Sequence, residues 1–326
     1  MTEPGKAAPT LVRGVLVVVT VLAVVAGVGV LMYRGGVGPF PDPAGCRAEV
    51  GGVVVDLSTE QAANAATIAA IGVRRGLPAR AVSVALATAY QESKIRNLDY
   101  GDRDSLGLFQ QRPSQGWGTP EQIVDPYYAI NRFYDELVEI DGYEIMRITE
   151  AAQQVQRSGF PEAYEDHAVD ARALASALTG YSEARFSCVA SPSSSDGASM
   201  GPTGLTPRAD EVRRDLRRAF GDLPMGGFAP EGISTGHMAG SAHYDGRAID
   251  VFFRPVNEES SRAGWVVAHY LTAHADRLGL DHVIFDDRIW SAGLRSEEGW
   301  RDYDAPDGSG SRVTLEHRDH VHLDVV

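Results

Sequence analysis

The sequence predicts two domains of different class, an all-α domain followed by an α+β domain, behind one N-terminal transmembrane helix. Three observations carry this expectation: an uncharged apolar run near the N-terminus, a Ser/Gly-rich stretch near the middle of the chain, and a change from helix-cap patterns before that stretch to alternating strand patterns after it. The length of 326 residues suffices for two compact domains and a tether. A composition of 44% hydrophobic and 23% charged residues is that of a chain able to bury a core.

Residues 14–32 (GVLVVVTVLAVVAGVGVLM) supply the roughly 20 apolar residues that a helix needs to cross a bilayer. A buried core helix is the plainer alternative, but the run is apolar on every face. Lys6 and Arg13 precede it and Arg34 follows, so the positive-inside rule makes 1–13 a cytoplasmic tail and 14–33 the anchor. The bulk of this single-pass cell-membrane protein is then extracytoplasmic, and its membrane partner is the cytoplasmic membrane, met through the N-terminal helix. A cleaved signal peptide is the rival reading, with Val24-Val25-Ala26 as a small-residue cleavage site. Continuation of the apolar run to Met32 favours the uncleaved anchor.

The Gly/Pro-rich residues 34–45 read as a spacer, and the low-complexity residues 191–205 as an interdomain linker. The two domains are then 46–190 and 206–326. Cys46 and Cys188 are the two cysteines. Outside the membrane such a pair is expected to be oxidised, and closing so long a loop contributes about 4–5 kcal/mol in the chain-entropy picture. Two unrelated buried thiols are the alternative. Neither cysteine sits in a CxxC or Cys–His pattern, so neither is assigned catalysis.

In the first domain, Ser58 and Gln61 form a capping-box pattern before an Ala-rich helix ending near Gly76. Pro78 starts a second helix running toward Tyr90. Thr119-Pro120 and Asp125-Pro126 mark two more starts, Thr149 opens another helix, and Gly180 follows the last. In the second domain Thr206-Pro207 opens a basic helix that stops at Gly221. Residues 247–253 and 282–285 read as strands with a helix over 264–278 between them, and 320–326 alternates as a closing strand. The mixture predicts α+β.

The formal charge of −14 excludes nucleic acid as a partner, since phosphate contacts need Lys and Arg. It does not exclude an anionic polymer held in a groove of local charge.

The first chemical signal is Glu92-Ser93 at the end of an apolar helix, followed by Ser105 and the turn Gly107-Leu108-Phe109-Gln110. The negative end of the helix and burial both disfavour a carboxylate, so Glu92 is expected to have a raised pKa, as an acid for a glycosidic oxygen requires. A solvated glutamate at a helix end is the plain alternative. Asp99, Asp102 and Asp104 lie in the intervening loop and offer a second carboxylate. Trp117 and Tyr90 suit sugar stacking or core packing equally. The Glu-Ser pair and the glycine turn resemble the lysozyme-like fold of soluble lytic transglycosylases over residues 57–188. The resemblance implies a single catalytic Glu92 that is acid toward the leaving oxygen and then base toward the sugar's own hydroxyl. It also implies substrate contacts from Ser105, Gln110 and Trp117, with Gln153, in Ala151-Ala152-Gln153, as a loose counterpart of the family's later Ala-Tyr-Asn pattern.

All but one of the nine histidines follow residue 206. His269, His274 and His282 read as structural or exposed. Two clusters remain, Ser241-Ala-His243-Tyr-Asp-Gly246-Arg-Ala248-Ile-Asp250 and His317-Arg-Asp319-His320-Val-His322. Two imidazoles and a carboxylate suit a zinc site with one position open, and His320 and His322 share a strand face. A polar turn and strand end are the plain alternative. The first cluster matches the Ser-x-His-x-x-Gly-x-Ala-x-Asp pattern of D-alanyl-D-alanine carboxypeptidases and related peptidases of the lysostaphin and hedgehog-like zinc fold. The second resembles their closing motif. The resemblance implies Zn²⁺ on His243, Asp250 and His322, with Asp319 as general base and His320 as alternative base or stabiliser. Metal ligands are usually oriented by outer groups, and His317 or His237 can serve. In one respect the sequence departs. Gly227-Phe228-Ala229-Pro230 carries Ala where the family commonly has an activating Arg, and Arg247 is a candidate substitute.

Together the resemblances imply a membrane-anchored peptidoglycan hydrolase, a lytic transglycosylase or muramidase joined to a zinc metallopeptidase. A non-catalytic peptidoglycan-binding scaffold and a wall-opening accessory of a secretion or conjugation machine are the rivals.

Overall fold

The computed structural model describes residues 45–326, apart from 193, 195, 196, 308 and 309. The apolar run 14–32 and its flanks lie outside the described residues. Among the described residues no helix is long and apolar enough to cross a membrane.

The chain opens with a hairpin, β1 (Gly45–Val50) and β2 (Val53–Leu57), which corrects the all-α expectation for the first half. Its physical origin is the Gly51-Gly52 pair. Both glycines have positive φ, 57° and 83°, as a two-residue turn matched to strand twist requires. A third strand, β3 (Phe186–Val189), pairs antiparallel with β1, giving the order β2-β1-β3. Cys46 lies directly opposite Cys188 in that register, and the two are joined as a disulfide. The bond therefore clips the start of this half to its end.

Between the strands the helices follow the cap signals. Thr59–Arg74 starts at the reciprocal Ser58/Gln61 capping box, Ala79–Ser93 starts after Pro78, and Pro126–Val138 starts at Asp125. A short helix Pro120–Ile123 at the Thr119/Gln122 capping box and two further helices, Ile148–Gln156 and Ala168–Leu178, complete the α-helices of the half. The Ala-rich helix Thr59–Arg74 is buried on several sides, through Ala62, Ala65, Ala66, Ile68, Ala69 and Ile71. Its small side chains admit close neighbours, and it packs against helices Ala79–Ser93, Pro126–Val138 and, from the second half, Glu258–Ala273.

The second half is a six-stranded antiparallel sheet, β4-β5-β9-β6-β7-β8. Its strands are β4 (Met225–Gly226), β5 (Ala248–Phe252), β6 (Leu280–Phe285), β7 (Arg288–Ser291), β8 (Arg301–Asp302) and β9 (His320–Val325). Helix Pro207–Phe220 precedes the sheet, and Glu258–Ala273 links β5 toward β6. That helix begins at the Asn257/Ser260 capping box, six residues before the expected start, and ends at His274, where a separate short helix Ala275–Leu278 takes over.

The described residues from 45 onward belong to one compact unit. Trp290 and Trp300 of the second half donate their indole N–H groups to the Cys188 and Phe186 carbonyls, at 3.1 and 2.8 Å, and so cap β3. Tyr270 donates to Asp215 at 2.8 Å and lies 3.3 Å from the Tyr127 hydroxyl. Two buried histidines also bridge the halves. His269 Nδ1 donates to the Ala177 carbonyl at 2.9 Å. His274 Nδ1 accepts from Arg277, which leaves Nε2–H facing Thr67 Oγ1 at 3.3 Å.

Burial pushes the pKa of His269 down to about 4, and burial followed by the Arg277 charge pushes His274 down to about 3. Both histidines are therefore neutral when folded, whereas the unfolded chain takes up their protons below about pH 6.5. Stability is fully present above that pH and is lost as pH falls toward 4, by roughly 3 kcal/mol for each histidine. Thermal unfolding followed from pH 7 to 4 is expected to show this fall, with a shallower slope in His274→Gln. An unchanged slope in that variant would remove His274 from the account.

Candidate functional sites

Glu92 lies in the last turn of helix Ala79–Ser93, which ends in left-handed Lys94. Ser93 anchors the following turn: its Oγ lies 2.7 Å from the Leu108 carbonyl and accepts the Arg96 N–H at 3.1 Å. Gln156 donates to the Phe109 carbonyl at 2.7 Å. The glycine turn is thus tied to the helix that carries Glu92, and Glu92 itself is half-buried. The residue that addresses it is Tyr164, fully buried, whose hydroxyl donates to Glu92 Oε1 at 2.6 Å. Burial, then the Glu92 charge and the hydrogen bond to it, push the Tyr164 hydroxyl well above the usual phenol range, so it remains a donor.

The other expected residues are distributed differently. Gln110 turns back on its own loop, 3.3 Å from the Tyr100 and Gly107 carbonyls. Ser105 is buried, with its N–H on the Asp102 carbonyl. Trp117 packs on the core with the Arg132 guanidinium 6.0 Å from its ring. Gln153 Nε2 donates to the Ser158 carbonyl, and its Oε1 is buried without a protein partner. Among the loop carboxylates, Asp104 is committed to Ser114 and Arg112, whose hydrogen bonds hold it well below the usual carboxylate range. Asp99 and Asp102 are exposed.

In the second half the β5–β9 register sets Asp250 opposite His322 and Phe252 opposite His320. His243 comes from the turn before β5, capped by Ser241. Three donor atoms converge. His243 Nε2 lies 3.2 Å from Asp250 Oδ1 and 3.1 Å from His322 Nδ1, and His322 Nδ1 lies 3.1 Å from Asp250 Oδ1. Tetrahedral zinc with bonds of 2.0–2.1 Å holds its ligand atoms about 3.3 Å apart, so the trio fits the ion.

The tautomers fit as well. His243 Nδ1 lies 2.8 Å from the Gly227 carbonyl and donates to it, so Nε2 carries the lone pair. His322 Nε2 faces Asp324 at 3.7 Å, and Asp324 is itself fixed by the His282 N–H groups at 2.9 and 3.0 Å. Two lone pairs and a carboxylate so placed require a cation or a proton between them. In the protein alone, burial opposes charge on His322, but Asp250 and Asp324 outweigh it and raise its pKa to about 9.

His237 is near enough to be grouped with His243 and Asp250, but its ring stacks on that of His243, with centroids 3.8 Å apart and planes 23° apart. Imidazole lone pairs lie in the ring plane, so an ion in the plane of His243 is off the plane of His237. His317 sits behind the cluster, its ring 4.6 Å from His320 and 5.6 Å from His322.

Asp319 and His320 adjoin the trio. His320 Nδ1 lies 2.7 Å from Asp319 Oδ1, and His320 Nε2 lies 3.8 Å from Asp250 Oδ1. Arg247 points elsewhere, to the Val325 carbonyl and to Asp245. Arg254, which no motif marked, pairs with Asp319.

A family model described as the VldE C-terminal domain matches residues 201–316. The match covers less than half of the chain and includes His243, Asp250 and Arg254, stopping short of Asp319, His320 and His322. No curated protein matches the chain.

Proposed function

We propose that this protein is an extracytoplasmic peptidoglycan hydrolase with a glycan-cleaving site at Glu92 and a zinc peptidase site for stem peptides at His243, Asp250 and His322. The observation that carries the reading is the convergence of His243 Nε2, His322 Nδ1 and Asp250 Oδ1 within 3.1–3.2 Å of one another. The Cys46–Cys188 disulfide supports an oxidising compartment.

At the first site Tyr164 holds one oxygen of Glu92 and leaves Oε2 to carry the proton that a glycosidic oxygen receives. At the second, zinc when bound would polarise the scissile carbonyl and lower the pKa of water. The Gly227 carbonyl orients the His243 imidazole, Asp324 lies 3.7 Å from Nε2 of His322, and the Asp319–His320 pair stands beside the trio to accept a proton.

Digestion of purified peptidoglycan by the whole protein, read by mass spectrometry, tests this. Anhydro-sugar ends and shortened stem peptides are expected, and a chelator should remove the second class of product alone. Product of neither kind would sink the reading and favour a binding scaffold.

A further inference from the structure

Arg254 lies two residues past the end of β5, and its neighbour Phe253 donates its N–H to the Asp319 carbonyl at 2.8 Å. Strand pairing therefore brings Arg254 to Asp319. The guanidinium places Nε 2.8 Å and Nη2 2.7 Å from Asp319 Oδ2. The other oxygen of Asp319 faces His320 Nδ1 at 2.7 Å. Asp319 and His320 are each 6% exposed, so neither carboxylate oxygen is left for another task. A neutral imidazole that gives its Nδ1–H to Asp319 keeps its lone pair on Nε2. That atom lies on the same strand face as His322, 3.8 Å from Asp250 Oδ1. The Arg254 side chain lies over the Phe252 ring at 4.4 Å and remains half-exposed at the edge of the site.

We propose that Arg254 is a positioning residue of the peptidase site. It pins Asp319, Asp319 fixes the orientation and tautomer of His320, and His320 Nε2 rather than the Asp319 carboxylate accepts the proton. The inference rests on the peptidase reading above. In the reaction, water adds across the peptide C–N bond: a C–O bond forms, one water proton passes to His320 Nε2, and that proton then goes to the leaving amine nitrogen as the C–N bond breaks. The site thereby has an arginine although position 229 is Ala, and it acts through the base.

The test uses the whole protein with Arg254→Gln, Arg254→Lys and His320→Gln, a synthetic stem peptide and zinc. The readouts are kcat, KM, zinc content and the ¹⁵N histidine spectrum of the zinc-free protein. Arg254→Gln is expected to lower kcat about 10- to 100-fold with KM and zinc content unchanged, and His320→Gln about 10²- to 10⁴-fold, the range for general acid–base catalysis. Arg254→Lys should recover part of kcat. The spectrum should show wild-type His320 protonated at Nδ1 and a mixture of tautomers in Arg254→Gln. A raised KM with kcat unchanged, unaltered kinetics, or His320 protonated at Nε2 in the wild type overturns the proposal while the peptidase reading stands. A wild type that neither holds zinc nor cuts the peptide overturns both.

Discussion

On the zinc reading proposed above, replacing Gly227 with Ala is expected to weaken metal binding markedly, though less than removing a ligand does. Gly227 has φ +78°, and a Cβ built there would come within 2.3 Å of His243 Cε1 and 2.5 Å of Nδ1. Neither atom belongs to the end of a flexible side chain, so the imidazole itself must turn. Turning it breaks the 2.8 Å hydrogen bond to the Gly227 carbonyl, which keeps the Nε2 lone pair on Asp250 and His322. Loss of such an orienting partner typically weakens metal binding about 10- to 100-fold. His322→Ala, which deletes a donor atom, is expected to hold no zinc after dialysis against a weak chelator. Asp319→Ala should keep the metal, because Asp319 faces Arg254 and His320 rather than the trio. Metal analysis of the three variants and the wild type reads all of this. Wild-type affinity in Gly227→Ala would mean that His243 does not ligate through Nε2, and a zinc-replete His322→Ala would remove β9 from the site.

That Gly227 matters could not be read from its tetrapeptide, where attention falls on Ala229. The sequence carries local information well. The Ser58/Gln61 box, the Thr206 cap and the alternation of 320–325 each appear where the pattern places them, because caps and strand faces are decided by residues within a few positions. The β1–β2 hairpin was equally local, in Gly51-Gly52, but the run Val53-Val54-Val55 hides its alternation and the Ser58 cap that follows draws the eye to a helix. Tyr164 and Arg254 are different. They reach their partners across 72 and 65 residues, and no periodicity encodes a contact made by tertiary packing. Arg254 is a strand-end cation and Tyr164 a core tyrosine until the fold brings each to a carboxylate. The association of the halves was hidden for the same reason. The helix Thr59–Arg74 is rich in alanine because it has neighbours from both halves, whereas its sequence alone says only that it is buried.

Glu92→Gln is expected to abolish glycan cleavage, with a loss of about 10²- to 10⁴-fold, the contribution usual for a general acid, and to leave peptide cleavage intact. Glutamine has the shape of glutamic acid, and its amide oxygen can still accept the Tyr164 hydroxyl at Oε1, so the helix end and the turn held by Ser93 should not move. What the amide cannot do is release a proton to the leaving oxygen or take one from the sugar hydroxyl. Tyr164→Phe probes the same atom from the other side. It removes one hydrogen bond to the carboxyl group of the acid, an interaction of about 0.5–1.5 kcal/mol between neutral partners, and frees Glu92 to adopt other rotamers, so a loss of about tenfold is expected. The Glu92→Gln/Tyr164→Phe double variant should be no worse than Glu92→Gln, since the tyrosine acts only through the acid. The measurement is release of anhydro-sugar ends from purified glycan strands, with stem-peptide cleavage in the same digest as the control for folding. Undiminished release by Glu92→Gln would end the assignment of Glu92. A double variant much worse than Glu92→Gln would give Tyr164 a part of its own, such as contact with the sugar.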